Sequence, residues 1–248
     1  MAVEVGDLNL ARKRAGFSIH AVTVALFVAT AVLGFAPRSA SILAGTMPMP
    51  PLAVHVHAFL MTAWLVLLAV QAGLIVGGRQ PLHRTLGVAS FVLAPTLLAG
   101  LIAVTIVRYH DLTEAGLGTL ASNILFLQIR SAVLFPLFFA WAMVVRRTDS
   151  EMHKRMLILA TFVLLDAAVA RHVWLPGNDI TAGYDATHAY WLLLLVPAVI
   201  YDIARLGRLH RAYVVGLALI LPCAIATHFV WNAPQWHSIA AKWMGVSG

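Results

Sequence analysis

The sequence predicts an all-α integral membrane protein, a single domain spanning residues 1–248 and built as a bundle of seven transmembrane helices. Hydrophobic residues make up 61% of the chain and charged residues only 11%, with a mean hydropathy of +0.86, whereas a soluble domain carries about 25% charged residues. Several apolar runs reach about 20 residues, enough to cross a bilayer. Because backbone groups in hydrocarbon must be satisfied internally, each run is expected to be a helix.

The seven predicted spans follow one another along the chain, separated by short loops. They cover about residues 17–35, 54–76, 86–107, 123–145, 155–174, 188–204 and 212–231. The first apolar run, Ala15 to Pro37, exceeds a signal-peptide core of about 7–15 residues, so we expect it to be retained. The fifth span is the least apolar, since it contains Asp166 and ends near Arg171. Four spans contain a proline that should bend the helix, at Pro95, Pro136, Pro197 and Pro222.

The distribution of basic residues predicts the orientation. With the N-terminus in the cytoplasm, the inner segments hold twelve Lys and Arg residues and the outer segments only Arg38, Arg108 and Lys242. The inner set is Arg12, Lys13, Arg14, Arg79, Arg84, Arg146, Arg147, Lys154, Arg155, Arg205, Arg208 and Arg211. Because positive loops stay inside, we expect a cytoplasmic N-terminus, an external C-terminus and a bacterial cytoplasmic (inner) membrane. Topology thus explains the net charge of +7, and nucleic acid is not expected as a partner.

The three inner turns share a short pattern. Each carries a histidine followed by a basic residue at the start of the next span: His83-Arg84, His153-Lys154 and His210-Arg211. The recurrence predicts three helical hairpins, spans two–three, four–five and six–seven, added to one leading helix. We interpret the pairs as anchors beside the lipid headgroups, with a cytoplasmic proton or anion site as the alternative.

Two ionisable residues are predicted at membrane depth. Arg130 in span four and Asp166 in span five both lie about eight positions from the outer boundary of one hairpin, and therefore at similar depth. A charge there costs at least about 2.5 kcal/mol, which favours pairing. We predict an ion pair that either locks the hairpin or takes part in binding or proton transfer.

Histidines collect in the outer quarter of the predicted bundle. His55 and His57 begin span two, but two residues apart on a helix they point in nearly opposite directions. His57 is the better inward candidate, because His57, Trp64 and Gln71 recur every seven residues. The predicted cofactor-binding residues are His57, His172, His188 and His228, with His57 and His228 as metal ligands and Arg130, Asp166 and Gln71 as buried polar support.

Such a site would suit a transition metal or an axial pair for haem b. The alternatives are histidines that only hydrogen-bond to loops, and a protonation switch for transport. The spacing of known sites is absent: Gln71 stands fourteen residues after His57, where di-haem cytochromes b have a second histidine. His228 has Ala224 and Asn232 at the positions four residues away, where the seven-span zinc hydrolases pair histidines. Cys223 is the only cysteine.

A longer pattern carries a resemblance. The residues HxHxxxMTxWxxxxxxQxxLI…GRxxLHRxLG from His55 to Gly87, with His153-Lys154-Arg155-Met156 and Trp231-Asn232-Ala233-Pro234, resemble an uncharacterised family of bacterial multi-pass membrane proteins. The resemblance extends over spans two to seven. It implies the membrane fold and transfers no chemistry.

Three functions remain open at this point. The leading hypothesis is a membrane protein that binds a metal, haem or small lipophilic ligand near its outer face, with a possible redox role. The second is a proton-coupled transporter or channel subunit that uses the Arg130–Asp166 pair and the proline kinks. The third is a scaffold or assembly partner without a site. No nucleophile motif or phosphate loop points to a reaction, and the lipid bilayer is the one partner that composition implies.

Overall fold

The computed structural model describes residues 18–246, which form helices and no β-strand. Arg12, Lys13, Arg14 and Phe17, used above for the orientation and the first span, lie outside the described residues. In chain order the helices are α1 (Ile19–Leu43), α2 (Leu52–Val76), α3 (Gln80–Gly87), α4 (Ser90–Glu114), α5 (Gly118–Val145), α6 (Ser150–Phe162), α7 (Asp166–Val169), α8 (Asp185–Leu193), α9 (Val196–Leu206), α10 (Arg211–Val230) and α11 (Pro234–Trp243).

Six helical segments in this part of the chain are long and apolar enough to cross a membrane. They are α1, α2, α4, α5, α10 and the combined stretch of α8 and α9, Asp185–Leu206. The prediction of an all-helical, multi-pass membrane protein is therefore confirmed. The first helix extends beyond its predicted end at residue 35 to Leu43 and contains Pro37.

The fifth predicted span differs from the expectation. Instead of one helix over residues 155–174, α6 ends at Phe162, a turn covers residues 163–165, and α7 contains only four residues from Asp166. The prediction of a continuous helix was wrong because this segment lies inside the protein. Thr161, Phe162 and Val163 are all fully buried, and protein side chains can replace the missing helical hydrogen bonds there.

Two side chains supply those bonds at the break. The indole Nε1 of Trp191 donates to the carbonyl oxygen of Phe162 at 3.0 Å. The hydroxyl of Ser131 donates to the carbonyl oxygen of Val163 at 2.8 Å. The rings of Phe162 and Trp191 also stack at 4.2 Å between centroids. Helices α5 and α8 thus stabilise an irregular backbone that could not face lipid.

A second interruption separates α8 from α9. Leu194 and Leu195 form a turn, and Pro197 occupies the first turn of α9, where its missing N–H is not needed. Pro197 was expected to bend the sixth span, and the segment Asp185–Leu206 is interrupted at the two residues that precede α9. Pro95, Pro136 and Pro222 do lie inside helices, as predicted.

The chain alternates between two ends of the bundle. We call the end with the turns at residues 77–79, 146–149 and 207–210 the basic end, and the opposite end the far end. Near the basic end, Asp149 before α6 pairs with Arg211 at the start of α10. Toward the far end, Asp166 of α7 and Thr227 of α10 both bind Arg130. The α6–α7 segment therefore follows α10 from the basic end toward the far end.

Helix α1 approaches α7 closely at Gly34. A Cβ atom at Gly34 would lie 2.5 Å from the carbonyl oxygen of Ala168, so a larger residue would force the two backbones apart. At the far end, α11 packs on α5, with the Trp236 indole donating to the carbonyl of Ser122 at 2.8 Å. The first contact fixes α7 against α1, and the second fixes α11 against α5.

Candidate functional site

The ion pair predicted between α5 and α7 is present. The guanidinium of Arg130 donates to Asp166, and their side chains are only 1% and 10% exposed. The hydroxyl of Tyr184, in the loop before α8, donates to the other carboxylate oxygen of Asp166. The carboxylate is therefore shared between two donors from different parts of the chain, which joins α5, α7 and the start of α8.

The rest of the Arg130 guanidinium is only partly satisfied. Its Nη1 lies 3.5 Å from the hydroxyl of Thr227 in α10, and its central carbon lies 4.4 Å from the centre of the Trp191 ring. Such cation–π contacts stabilise a desolvated cation. The Nε atom, however, is buried and has no hydrogen-bond partner in the structure, so one donor of this buried cation is unused.

Beside this cluster, His188 of α8 and His228 of α10 form a pair. His188 Nδ1 and His228 Nε2 are 2.7 Å apart, and the two ring planes are nearly parallel, at 15°, with centroids 4.8 Å apart. His228 Nδ1 lies 2.7 Å from the carboxylate of Asp185. A carboxylate only accepts, so His228 Nδ1 carries a proton. In a neutral His228, Nε2 then accepts from His188 Nδ1.

The other two predicted histidine ligands lie elsewhere. His172, after α7, has its Nε2 3.1 Å from the carbonyl oxygen of Thr30 in α1, so it holds the far-end loop against that helix. His57 is half-buried on α2, whereas His55 is exposed, in agreement with the inward position predicted for His57. Of the four predicted cofactor ligands, the hydrogen bonds between described side chains join only His188 and His228.

Metal binding requires several ligand atoms around one point. Across residues 18–246, no group of three or more His, Cys, Asp or Glu residues is placed to hold an ion. The facing nitrogens of His188 and His228 are hydrogen-bonded to each other and so do not present free lone pairs to a shared metal. Their arrangement favours hydrogen bonding over coordination.

Gln71, predicted as polar support for the far-end site, lies toward the other end of α2. It follows His57 by fourteen residues, about 21 Å along a helix, and its side-chain nitrogen lies 3.4 Å from a Cβ placed on Gly87 of α3. Trp64, between them on the predicted stripe, is buried and donates to Thr161 at 3.1 Å. Gln71 therefore stands apart from the Arg130–Asp166 pair.

An open groove runs between α8 and α10 at the histidine pair, with a volume of about 270 Å³. Its walls are mainly aliphatic, and its polar edge is formed by Asp185, His188 and His228. The lining residues are Asp185, His188, Ala189, Leu192, Leu221, Ala224, Ile225 and His228. Most ligand sites combine such apolar walls with a few convergent polar groups.

Sequence reasoning missed a second buried ion pair, at the basic end. Arg155 of α6 binds Asp202 of α9 through two parallel bonds, Nε to Oδ2 at 2.8 Å and Nη2 to Oδ1 at 2.6 Å. Its Nη1 donates to Glu151 at 2.6 Å. The available signal was Asp202 itself, an ionisable residue inside the sixth predicted span.

Sequence reasoning also missed Tyr184, Asp185 and Thr227 at the far end. Tyr184 and Asp185 belong to a polar loop and a helix start, where tyrosine and aspartate are common, and Thr227 is one of several threonines in apolar helices. Their roles follow from distances to Asp166, His228 and Arg130. No local pattern in the sequence distinguishes them.

Comparison of the chain with models of protein families, with curated proteins and with solved structures finds no match. The function therefore has to be argued from the groove and the side chains around it.

Proposed function

We propose that this is a seven-span protein of the bacterial cytoplasmic membrane that binds a small lipophilic ligand in the groove between α8 and α10. The observation that carries the proposal is the groove of about 270 Å³ with aliphatic walls and one polar edge at Asp185, His188 and His228. A molecule with an apolar body and a polar headgroup matches this division, because each part meets surface of its own kind.

The seven-span topology is supported by the course of α6 and α7. Their segment follows α10 from the Asp149–Arg211 pair to the level of Thr227, so it adds a crossing to the six apolar segments. An odd number of crossings puts the chain ends on opposite sides. With the basic turns in the cytoplasm, the N-terminus is inside, the C-terminus is outside and the groove opens in the outer half of the membrane.

The buried cluster behind the groove gives one wall its support. Arg130 and Tyr184 both bind Asp166, and Arg130 also contacts Trp191 of α8. Because α8 is only nine residues long, it depends on such contacts for its position. The ion pair then acts as a positioning element for the ligand site, and haem or a metal is a less favoured occupant since the two histidines bind each other.

Photo-crosslinking would test the ligand site. The probe is a decanol analogue with a diazirine on its alkyl chain, added to the purified protein in neutral maltoside micelles. After irradiation, peptide mapping locates the label. We expect the adducts to concentrate in residues 185–192 and 221–228, because an enclosed chain remains longer beside these walls than on an open helix face.

The matched variants are Ala189→Leu and Ala103→Leu. Both alanines are exposed on helices, but only Ala189 lines the groove, so the added isobutyl group fills the site in one variant and not in the other. We expect Ala189→Leu to reduce labelling at least threefold and Ala103→Leu to leave it unchanged. Adducts spread evenly over the apolar helices, equal in both variants, would refute a ligand site here.

A second function, a proton-coupled transporter, is favoured by one observation. The two interrupted segments, α6–α7 and α8–α9, meet where Trp191 donates to the carbonyl of Phe162, and transporters form their sites at adjacent broken helices. In vesicles with an imposed pH gradient, this function requires solute accumulation that disappears in Asp166→Asn. Accumulation that persists in that variant would exclude a role for the buried carboxylate.

A further inference from the structure

The polar edge of the groove carries one formal charge. Among the described residues that line the groove, Asp185 is the only one of the Asp, Glu, Lys and Arg type. Its side chain is 90% exposed, and its carboxylate accepts a hydrogen bond from His228 Nδ1. Helix α8 begins at Asp185, so the carboxylate stands at the mouth of the groove.

The nearest buried cation does not compensate this charge. The guanidinium of Arg130 is paired with Asp166 and is only 1% exposed, so its charge is neutralised locally and is not presented to the groove. His188 Nδ1 donates to His228 Nε2, and His228 Nδ1 donates a second proton to Asp185, so the neutral pair adds no positive charge to the groove. An incoming headgroup therefore meets a carboxylate beside aliphatic walls.

We propose that the ligand of this groove is an amphiphile with an ammonium headgroup, bound by Asp185 while its alkyl chain lies along Ala189, Leu192 and Ile225. The inference rests on the ligand site proposed above and adds the charge of the headgroup. An ammonium group donates to the carboxylate and gains from its charge, whereas a carboxylate or phosphate monoester headgroup is repelled. A hydroxyl headgroup is tolerated without the charge contribution.

Two sources can provide this chemistry: a free long-chain amine, or a membrane lipid with an aminoethyl headgroup. Both place an ammonium group at the end of an apolar chain and bind the same carboxylate. They differ in that the lipid also carries a phosphate, which must remain outside the groove, away from Asp185. The experiment therefore includes one arm for each source.

The test measures displacement of the diazirine decanol probe by decylamine, decanol and decanoate in neutral maltoside micelles. Since exposed ion pairs contribute up to about 1 kcal/mol, equivalent to about fivefold, we expect decylamine to displace the probe at a concentration about fivefold lower than decanol. Decanoate should be the weakest competitor. In Asp185→Asn, decylamine and decanol should become equivalent, while decanol remains as effective as before.

The lipid arm adds phosphatidylethanolamine or phosphatidylglycerol to the same micelles. If phosphatidylethanolamine displaces the probe, phosphatidylglycerol does not, and the effect is lost in Asp185→Asn, the source is the lipid. If decylamine displaces the probe but phosphatidylethanolamine does not, the source is a free amine. Equal displacement by all three decyl compounds in the unaltered protein overturns the headgroup assignment and leaves the ligand site intact. Failure of the decanol probe to label the groove at all refutes the site itself, so the two failures are distinct.

Discussion

Two buried arginine–aspartate pairs, one near each end of the bundle, differ in how completely they are satisfied. At the basic end, Arg155 uses Nε and Nη2 on both oxygens of Asp202 and Nη1 on Glu151. At the far end, Arg130 uses one nitrogen on Asp166, makes a long contact at 3.5 Å with Thr227 and leaves Nε without a partner.

The difference indicates a different role for each pair. A guanidinium with its donors occupied forms a rigid connection, here between α6 and α9, and has nothing left to offer a ligand. The far-end pair shares its carboxylate with Tyr184 and lies beside the histidines of the groove. A buried donor without a partner is uncommon in folded proteins, and a bound ligand or a water molecule is among its explanations. The contrast supports the ligand site proposed at the far end and a structural role for the pair at the basic end.

The largest expected effect is at the basic end. Asp202→Ala leaves the buried Arg155 with only the half-exposed Glu151 as an acidic partner, and breaking a buried pair costs about 3–5 kcal/mol. The free energy of unfolding, measured by SDS titration in mixed micelles, should fall by that amount. The double variant Arg155→Met with Asp202→Leu should recover most of the loss, because no buried charge remains unpaired. A double variant as unstable as the single one would contradict a purely electrostatic cause.

A smaller loss is expected at the far end. Asp166→Asn removes the charge and keeps one acceptor oxygen for Arg130, while its NH2 group replaces the oxygen that faces Tyr184. The guanidinium retains its contact with Trp191. We expect a loss of about 2–3 kcal/mol in the free energy of unfolding, together with weaker probe labelling in the groove. Equal losses in stability for Asp166→Asn and Asp202→Asn, with labelling unchanged in both, would remove the distinction between the two pairs.

A substitution at the interruption between α6 and α7, which lies between the two ion pairs, should lower the free energy of unfolding by less. Ser131→Ala removes the donor to the buried carbonyl of Val163, which costs about 1–2 kcal/mol for an unsatisfied buried acceptor. Ser41→Ala is the control, since the hydroxyl of Ser41 donates to the carbonyl of Pro37 on an exposed part of helix α1. The same mixed-micelle titration should show a change under about 0.5 kcal/mol for the control. A neutral result for Ser131→Ala would show that the break does not depend on this bond.

The smallest effect concerns the exposed connection at the basic end and depends on pH. Asp149 accepts a hydrogen bond from the backbone N–H of Met152 and binds Arg211, and both interactions lower the pKa of its carboxyl group below 3.8. Because the folded-state pKa is the lower one, the stabilisation is fully present above about pH 4 and is lost as the pH falls through the folded-state value.

Asp149→Ala should therefore destabilise the protein at pH 7 by about 1 kcal/mol, the usual cost of a lost helix N-cap. The difference from the unaltered protein should shrink when the titration is repeated near pH 3. A difference that is constant between the two pH values would assign the effect to the capping hydrogen bond to Met152 and not to the charge of Asp149.

The sequence predicted the Arg130–Asp166 ion pair but not the Arg155–Asp202 ion pair. Arg130 and Asp166 stand in the middle of apolar runs and at matching depth, so their pairing could be inferred from the cost of a lone charge. Arg155 lies at the boundary of a predicted span and was assigned to an inner loop, although its side chain is only 5% exposed. Burial of a boundary residue depends on which helices pack over it, and that is not visible in hydropathy.

The histidines show the same limit. Their common depth follows from positions along the chain, and the inward position of His57 follows from helical periodicity. Which histidines meet depends on the lateral arrangement of helices. The structure joins His188 with His228 and directs His172 to α1.

The amino-acid sequence alone determined that this is a helical membrane protein, where its apolar segments lie and which loops are basic. The free energy of transferring a segment into lipid depends on the residues of that segment, so it can be judged without knowing the rest of the fold. The tertiary structure decided where helices break, which charges are saturated and where a groove opens. Those features require partners from distant parts of the chain. Trp191 and Ser131 donate hydrogen bonds to the backbone of the interrupted segment, and they do so only because the folded chain packs α8 and α5 against it.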